Sequence, residues 1–307
     1  MGKRQSFAAF VLLLAAIGVG RLVVVGSSGA QAPAAQQATI GAAASALPNK
    51  DGSLKFAVIG DFGDETAEQM ATAVQIAKSH ATFPFEIVLT AGDNIYGSER
   101  PQDFQNKFEI PYKPLLDAGV KFYATLGNHD AQEQRYYKLF NMGGKLYYSF
   151  KAPAQDVRFF MLNSSYMDPD QVKWLEHELQ TSAELWKIVV FHHPLYSSGA
   201  THGSSISLRS TLEPLFVKYR VSVVLTGHDH IYERIKPQQG IAHFVMGSAG
   251  ELRRGDLTKT DMTAFGFDAD NVFFVSEIVD NMMYFNAVSR AGKVVDFGSI
   301  TARAVTK

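Results

Sequence analysis

The sequence predicts an α/β fold in which two mixed β-sheets pack together and helices flank them. Three observations lead there. In the first half, short apolar runs alternate with helical patterns, the rhythm of strand–helix–strand units. Toward the C-terminus the chain turns mostly to strands, an order that two packed sheets with helices outside accommodate. Five of the runs stop on turn-forming residues that carry Asp, Asn or His, and open α/β sheets bind ligands at such strand ends.

Composition sets the outer bounds. The chain has 307 residues, 46% hydrophobic and 19% charged, enough for one large globular domain or two small ones. A net charge of -1 gives no sign of a nucleic-acid surface or a polyacidic tail. Cysteine is absent, which excludes disulfides, thiolate zinc sites, iron–sulfur clusters and a lipoprotein anchor.

The first residues follow the pattern of an export signal, expected over residues 1–30. Lys3 and Arg4 precede an apolar run from Phe7 to Gly20, and the small residues Ser28-Gly29-Ala30 follow. Arg21 interrupts the apolar stretch and argues against a clean membrane span; an uncleaved N-terminal anchor is the alternative. Residues 31–52 are rich in Ala and Gln without packing periodicity and read as a disordered spacer. The folded domain is expected over 53–307.

The elements follow in order. Leu54 to Gly60 is a buried strand ending on Asp61-Phe62-Gly63. A helix comes next, with Ala67, Met70, Ala71, Val74 and Ala77 at helical spacing and a capping box from Thr66 and Gln69. Strand Glu86 to Thr90 leads into Ala91-Gly92-Asp93-Asn94-Ile95-Tyr96-Gly97, and a helical stretch broken by Pro111 and Pro114 follows. Strand Lys121 to Leu126 runs into Gly127-Asn128-His129-Asp130. Tyr147 to Lys151 and Val157 to Leu162 read as paired strands, and a helix begun by Asp168-Pro169 carries Val172, Leu175 and Leu179 inward. Strand Trp186 to Phe191 ends on His192-His193-Pro194, and strand Val221 to Thr226 ends on Gly227-His228-Asp229-His230. Four further strands are expected: Ala242 to Met246, Val272 to Ile278, Met283 to Val288 and Val294 to Ile300.

The strand ends present Asp61, Asp93 with Tyr96, Asn128 with His129, His192, and His228 with His230. Carboxylate, phenolate, amide oxygen and imidazole suit hard-to-borderline metals such as iron, manganese and zinc. One ion cannot use them all, whereas two ions sharing a carboxylate can, as in phosphoryl transfer. Each piece alone has a bland explanation. Asp-Phe-Gly makes a turn, Asn-His-Asp after Gly is a polar turn, and His80, His177 and His243 read as surface or packing residues. The joint order of five strand ends carries the signal.

These five blocks resemble the metallophosphoesterase superfamily, and Tyr96 in Gly-Asp-Asn-Ile-Tyr resembles its purple acid phosphatase branch of small, mammalian type. The resemblance spans Leu54 to Ile300 and implies a four-layer sandwich. Many superfamily members carry a histidine where Gly63 stands and lack the tyrosine; here the two departures come together. The resemblance implies a ferric ion held by Asp61, Tyr96 and His230. It also implies a divalent ion (iron, zinc or manganese) held by Asn128, His192 and His228, with Asp93 bridging the two. His192 fits the V-x-x-H block counted from Val189, which leaves His193 open as a residue lining the site. His129 and His202 are the implied substrate-binding and proton-donating residues, and the composition of the 197–204 loop around His202 predicts mobility.

The resemblance thus implies an exported acid phosphatase, periplasmic or extracellular, that hydrolyses small phosphate monoesters with a metal-bound hydroxide at the dinuclear centre. A phosphodiesterase or nucleotidase with a manganese or zinc pair is one alternative. A non-catalytic phosphate- or metal-binding protein on the same fold is the other.

Overall fold

A computed structural model describes residues 46–303. The expected export signal, its anchor alternative and most of the expected spacer lie outside the described residues. Within the expected spacer, Leu47 packs on the hydrophobic core, and the N–H groups of Asn49 and Lys50 donate to the Glu277 carboxylate at 2.6 and 2.7 Å.

The first half supplies β1 (Leu54–Ile59), α1 (Ala67–Thr82), β2 (Ile87–Thr90), α2 (Pro101–Phe104), a π-helical turn (Gln105–Glu109), α3 (Lys113–Asp117) and β3 (Lys121–Ala124). The middle supplies β4 (Tyr148–Lys151), β5 (Val157–Met161), α4 (Pro169–Thr181), β6 (Trp186–Val190), α5 (Ile206–Lys218) and β7 (Val223–Thr226). The remainder is all strand: β8 (Tyr232–Gln238), β9 (Ile241–Met246), β10 (Thr263–Phe267), β11 (Val272–Val279), β12 (Met282–Ser289) and β13 (Val294–Thr301).

The strands form two mixed sheets. One has six strands in the order β13-β12-β11-β1-β2-β3, and the other has seven in the order β10-β8-β9-β7-β6-β5-β4. Each holds a parallel block: β1, β2 and β3 in the first, and β5, β6, β7 and β9 in the second. Parallel neighbours need crossover connections, so all the ligand-bearing turns emerge on one side of each block. The two inner faces interlock through aromatic contacts between sheets, Phe56 with Phe159 at 5.5 Å and Phe244 with Phe274 at 5.1 Å. On the outer face of the second sheet, Leu175, Leu179, Leu212 and Phe216 of α4 and α5 cover Phe160, Val189 and Val224.

Helix α1 is capped by Thr66 as predicted, but the reciprocal half of the capping box is displaced by one residue, the Thr66 N–H donating to Asp64 instead. Thr66 Oγ1 accepts from the Gln69 N–H at 3.1 Å, while Gln69 Oε1 accepts from the Glu65 N–H at 2.8 Å. Its expected apolar stripe, however, does not face the core. Met70 and Val74 are 39% and 46% exposed, and the buried face is Gln69, Thr72, Ala73 and Ile76. The polar pair tolerates burial because its bonds are made: Gln69 also donates to Lys107 O, and the Thr72 hydroxyl donates to Glu68 O at 2.9 Å.

Helix α5 and strands β8 and β10 are absent from the pattern-based expectation. Pro214 lies inside α5, β8 carries Glu233, Arg234, Lys236 and Pro237, and β10 is short with a glycine at 266. Pairing onto β9 makes β8 a strand despite its charges. Buried Glu233 is compensated by the Ser198 N–H at 2.7 Å and the Thr263 hydroxyl at 2.6 Å.

Candidate metal centre

The turns that follow the parallel strands continue the ladders for one or two residues. Asp61 N–H donates to Gly92 O at 3.0 Å, and Gly227 N–H donates to His192 O at 2.9 Å. The chain then leaves the sheet sharply. Asp61, Asp93 and His228 all adopt left-handed backbone, with φ of 54°, 49° and 73°. Such conformations cost non-glycine residues roughly 1–3 kcal/mol and persist where the surroundings over-determine them. Close backbone approach adds to this: a Cβ at Gly127 would sit 2.0 Å from Asp93 Oδ1.

All seven candidate ligands come together, in two groups. In the first, Tyr96 Oη lies 3.2 Å from Asp61 Oδ1, 3.2 Å from Asp93 Oδ2 and 3.1 Å from His230 Nε2, with His230 Nε2 3.3 Å from Asp61 Oδ1. In the second, His192 Nε2 lies 3.0 Å from Asn128 Oδ1, 3.1 Å from His228 Nδ1 and 3.3 Å from Asp93 Oδ2. The same oxygen, Asp93 Oδ2, belongs to both groups. Asp93 Oδ1 is held by the His129 N–H at 2.9 Å, and Asp61 Oδ2 by the His228 N–H at 3.0 Å, which leaves the other oxygen of each for the donor groups.

The donor chemistry fits cations. His192 Nδ1 faces the Ala91 carbonyl at 2.9 Å and must carry the ring proton, so its Nε2 lone pair faces an amide oxygen, a carboxylate oxygen and another imidazole nitrogen. Lone pairs do not converge at 3.0–3.3 Å without positive charge between them. Ligands about 2.0–2.2 Å from a shared ion are themselves separated by about 3.0–3.5 Å, the spacing seen within each group.

The electrostatics agree. Burial disfavours a charged His192, but Asp61 and Asp93 outweigh it and push the imidazole up to about 9, so the positive charge their field calls for at Nε2 is a proton unless a cation displaces it. For Asp93, burial acts upward, yet the hydrogen bond and charge of His192 and the His129 N–H hold it well below the usual carboxylate range. Burial and the neighbouring His192, His193 and His202 push His228 down to about 2, so its lone pair stays available. Tyr96 is driven far above the ordinary phenol range by burial and by Asp61 and Asp93, and an adjacent cation would reverse that field.

His129 and His202 border this cluster, both exposed. The His129 ring lies 4.8 Å from the Tyr96 ring, and the His202 ring 4.1 Å from the His228 ring. The loop carrying His202 is pinned where its composition predicts mobility. Ala200 N–H donates to Asp256 O at 2.8 Å, Thr258 N–H to Ser198 O at 3.0 Å, and buried Asp229 accepts from Ser197 Oγ and from Gly203 N–H at 3.2 Å. Arg253 Nη1 donates to His202 Nε2 at 2.9 Å, and Glu251 Oε2 stands 3.9 Å from His230 Nδ1. The segment after Gly250 therefore borders the site.

Further residues support the ligands, of which Asp130, standing beside His129, is the one the sequence marks as an orienting group and Ser164 the one it misses. Asp130 accepts from the N–H groups of Gly127, Asn94 and Ile95 at 2.8–3.1 Å, and from Gln134 Nε2 at 2.7 Å, so it ties the second and third turns together. Asp229, between the two histidines of Gly-His-Asp-His, was visible as a carboxylate in a ligand block. Ser164, which contacts His192 and His193, stands in no motif.

The family model for calcineurin-like phosphoesterases matches residues 54–232. The chain belongs to the calcineurin-like phosphoesterase family. Within it, the relatives include tartrate-resistant acid phosphatases of mammals and purple acid phosphatases of Arabidopsis thaliana. Purple acid phosphatase 4 of Arabidopsis thaliana is 30% identical over 75% of this chain and 78% of its own length. Tartrate-resistant acid phosphatase type 5 of Mus musculus is 27% identical over 64% of this chain and 72% of its own length. Among solved structures, GAP50, described as the anchor in the inner membrane complex of Plasmodium, superposes with a TM-score of 0.72 at 22% identity, over 83% of this chain and 90% of that one. That likeness is one of fold. No helix among the described residues is long and apolar enough to cross a membrane.

Proposed function

We propose that the protein is an exported acid phosphatase that hydrolyses small phosphate monoesters at a dinuclear Fe(III)–M(II) centre, M being iron, zinc or manganese. The observation that carries this reading is the position of Asp93 Oδ2, shared between a group containing a tyrosine oxygen and a group built on imidazoles and an amide. Asp61, Tyr96 and His230 would hold the ferric ion, Asn128, His192 and His228 the divalent ion, and Asp93 would bridge them. When bound, the pair supplies charge to neutralise a phosphate and a water acidified enough to act as nucleophile.

The chain's own residues do the rest. Asp61 and Asp93 are clamped by backbone N–H groups, so the site is organised before substrate arrives. His129 and His202, whose rings lie against Tyr96 and His228, border the site, and the imidazolium of one of them would deliver the proton to the departing ester oxygen. Arg253 donates to His202 Nε2, so while that contact is made the ring is neutral and its Nδ1–H serves as a hydrogen-bond donor; acting as the acid would require the imidazolium, with Nε2 released from Arg253. Export rests on the N-terminal sequence pattern.

The test combines colour and substrate. Protein purified without chelators should show a visible tyrosinate-to-iron band and cleave para-nitrophenyl phosphate faster than its bis-ester below neutral pH. A colourless two-metal protein that prefers the diester would turn the reading to a phosphodiesterase, and a protein that binds phosphate without turnover to a binding protein.

A further inference from the structure

His193 belongs by type and place with the imidazoles of the second group. One nitrogen each from His192, His193 and His228 lies within 4.8 Å of the others, and the His193 ring centroid is 4.3 Å from that of His228 and 4.9 Å from that of His192. Proximity alone suggests a third imidazole ligand.

Ser164 decides otherwise. Its Oγ accepts from the backbone N–H of His192 at 3.2 Å and of His193 at 3.0 Å, which occupies both lone pairs. The same Oγ lies 2.9 Å from His193 Nδ1. Only its hydroxyl proton is left for that contact, so Nδ1 accepts and the neutral ring carries its proton on Nε2. An N–H cannot ligate a cation. Adjacent His192 is set the opposite way, with Nδ1–H donated to Ala91 O, so that Nε2 is the nitrogen turned inward and available to a cation. Side by side, one histidine offers a lone pair and the next a proton donor. His193 is half-buried, and its Nε2 has no protein hydrogen-bond acceptor among the described residues.

We propose that His193 is a neutral hydrogen-bond donor, through Nε2–H, to a phosphoryl oxygen bound at the metal pair, and is not a metal ligand. This assignment rests on the phosphatase reading for its ligand. The tautomer it requires rests on Ser164 alone.

The test uses the full chain. Long-range ¹⁵N–¹H correlation on metal-free protein should show His193 protonated at Nε2 and bare at Nδ1. In the metal-loaded protein, His193→Phe should keep two metals per chain while inorganic phosphate binds about tenfold more weakly by calorimetry, the loss of one bond to a charged acceptor. His193→Gln, which keeps an N–H donor, should regain part of that loss and serves also if the Phe variant folds poorly. An Nδ1–H tautomer, loss of a metal equivalent in His193→Phe, or unchanged phosphate affinity would each overturn the assignment. Wild-type protein that holds two metals but no phosphate would sink the phosphatase reading and the phosphate contact together, while the tautomer measurement still reports separately on Ser164.

Discussion

The Tyr96 N–H donates to the Gly63 carbonyl at 2.9 Å, and a Cβ at position 63 would lie 1.9 Å from the Asn94 carbonyl oxygen. The loop that brings the phenol to the first donor group therefore fills the space a side chain at 63 would need. The glycine and the tyrosine are two halves of one arrangement. Where the turn after the first strand carries a histidine instead, this loop cannot take the same path.

Gly63→Ala follows directly from that clash. Backbone atoms, not a flexible side chain, oppose the added methyl, so stability should fall by at least about 2 kcal/mol. Denaturant unfolding checks the loss, and metal analysis should show the Tyr96 side of the centre depleted first. An alanine variant of wild-type stability with full metal content would refute the coupling.

Tyr96→Phe keeps the ring against His129, 4.8 Å away, and removes only the oxygen. The fold should stand while the visible band disappears and affinity for one of the two ions drops at least about tenfold. Circular dichroism, the absorption spectrum and metal titration check this together. Persistence of the colour would remove Tyr96 from the ligand set.

Asp229 is fully buried and holds the His202 loop through Ser197 and Gly203. Asp229→Ala strands both donors and should cost about 2–4 kcal/mol. Both metals should stay bound while KM rises, because the loop, and His202 with it, loosens. Metal content measured beside the kinetics separates this from collapse of the centre.

His243 sits on β9, buried, with its Nε2 unpartnered and its ring 5.0 Å from Tyr196. Burial pushes its pKa down to about 3, against about 6.5 in the unfolded chain. Between those values the unfolded chain binds the extra proton. The stability this residue allows is thus fully present above about pH 6.5 and is lost as pH falls toward 3. His243→Leu should flatten the stability–pH curve across that window. A curve as steep as wild type would show that other groups govern acid sensitivity.

The principal strands and the ligand blocks were legible because both are local. Apolar runs of strand length mark β1, β2, β3, β6 and β7, and Asp61, Asp93, Tyr96, Asn128, His192, His228 and His230 stand where those runs stop. The buried face of α1 was not legible, since Gln69 and Thr72 are tolerated inside only by partners such as Lys107 and Glu68 that pattern does not reveal. Strand β8 was hidden for a related reason: Glu233 is compensated from Ser198 and Thr263, far away in the chain.

Residue type and order were enough to mark seven donors and to set them on turns after strands, because a strand's end and a side chain's chemistry are properties of a few neighbouring residues. Which donors share an oxygen, which histidine offers a lone pair and which a proton, and that the His202 loop is tied down were decided by packing. Those features depend on contacts such as Tyr96 with Asp93 across the turn, His192 with Asn128 and Ser164 with His193, and hydrogen-bond capacity is allotted only when distant segments meet.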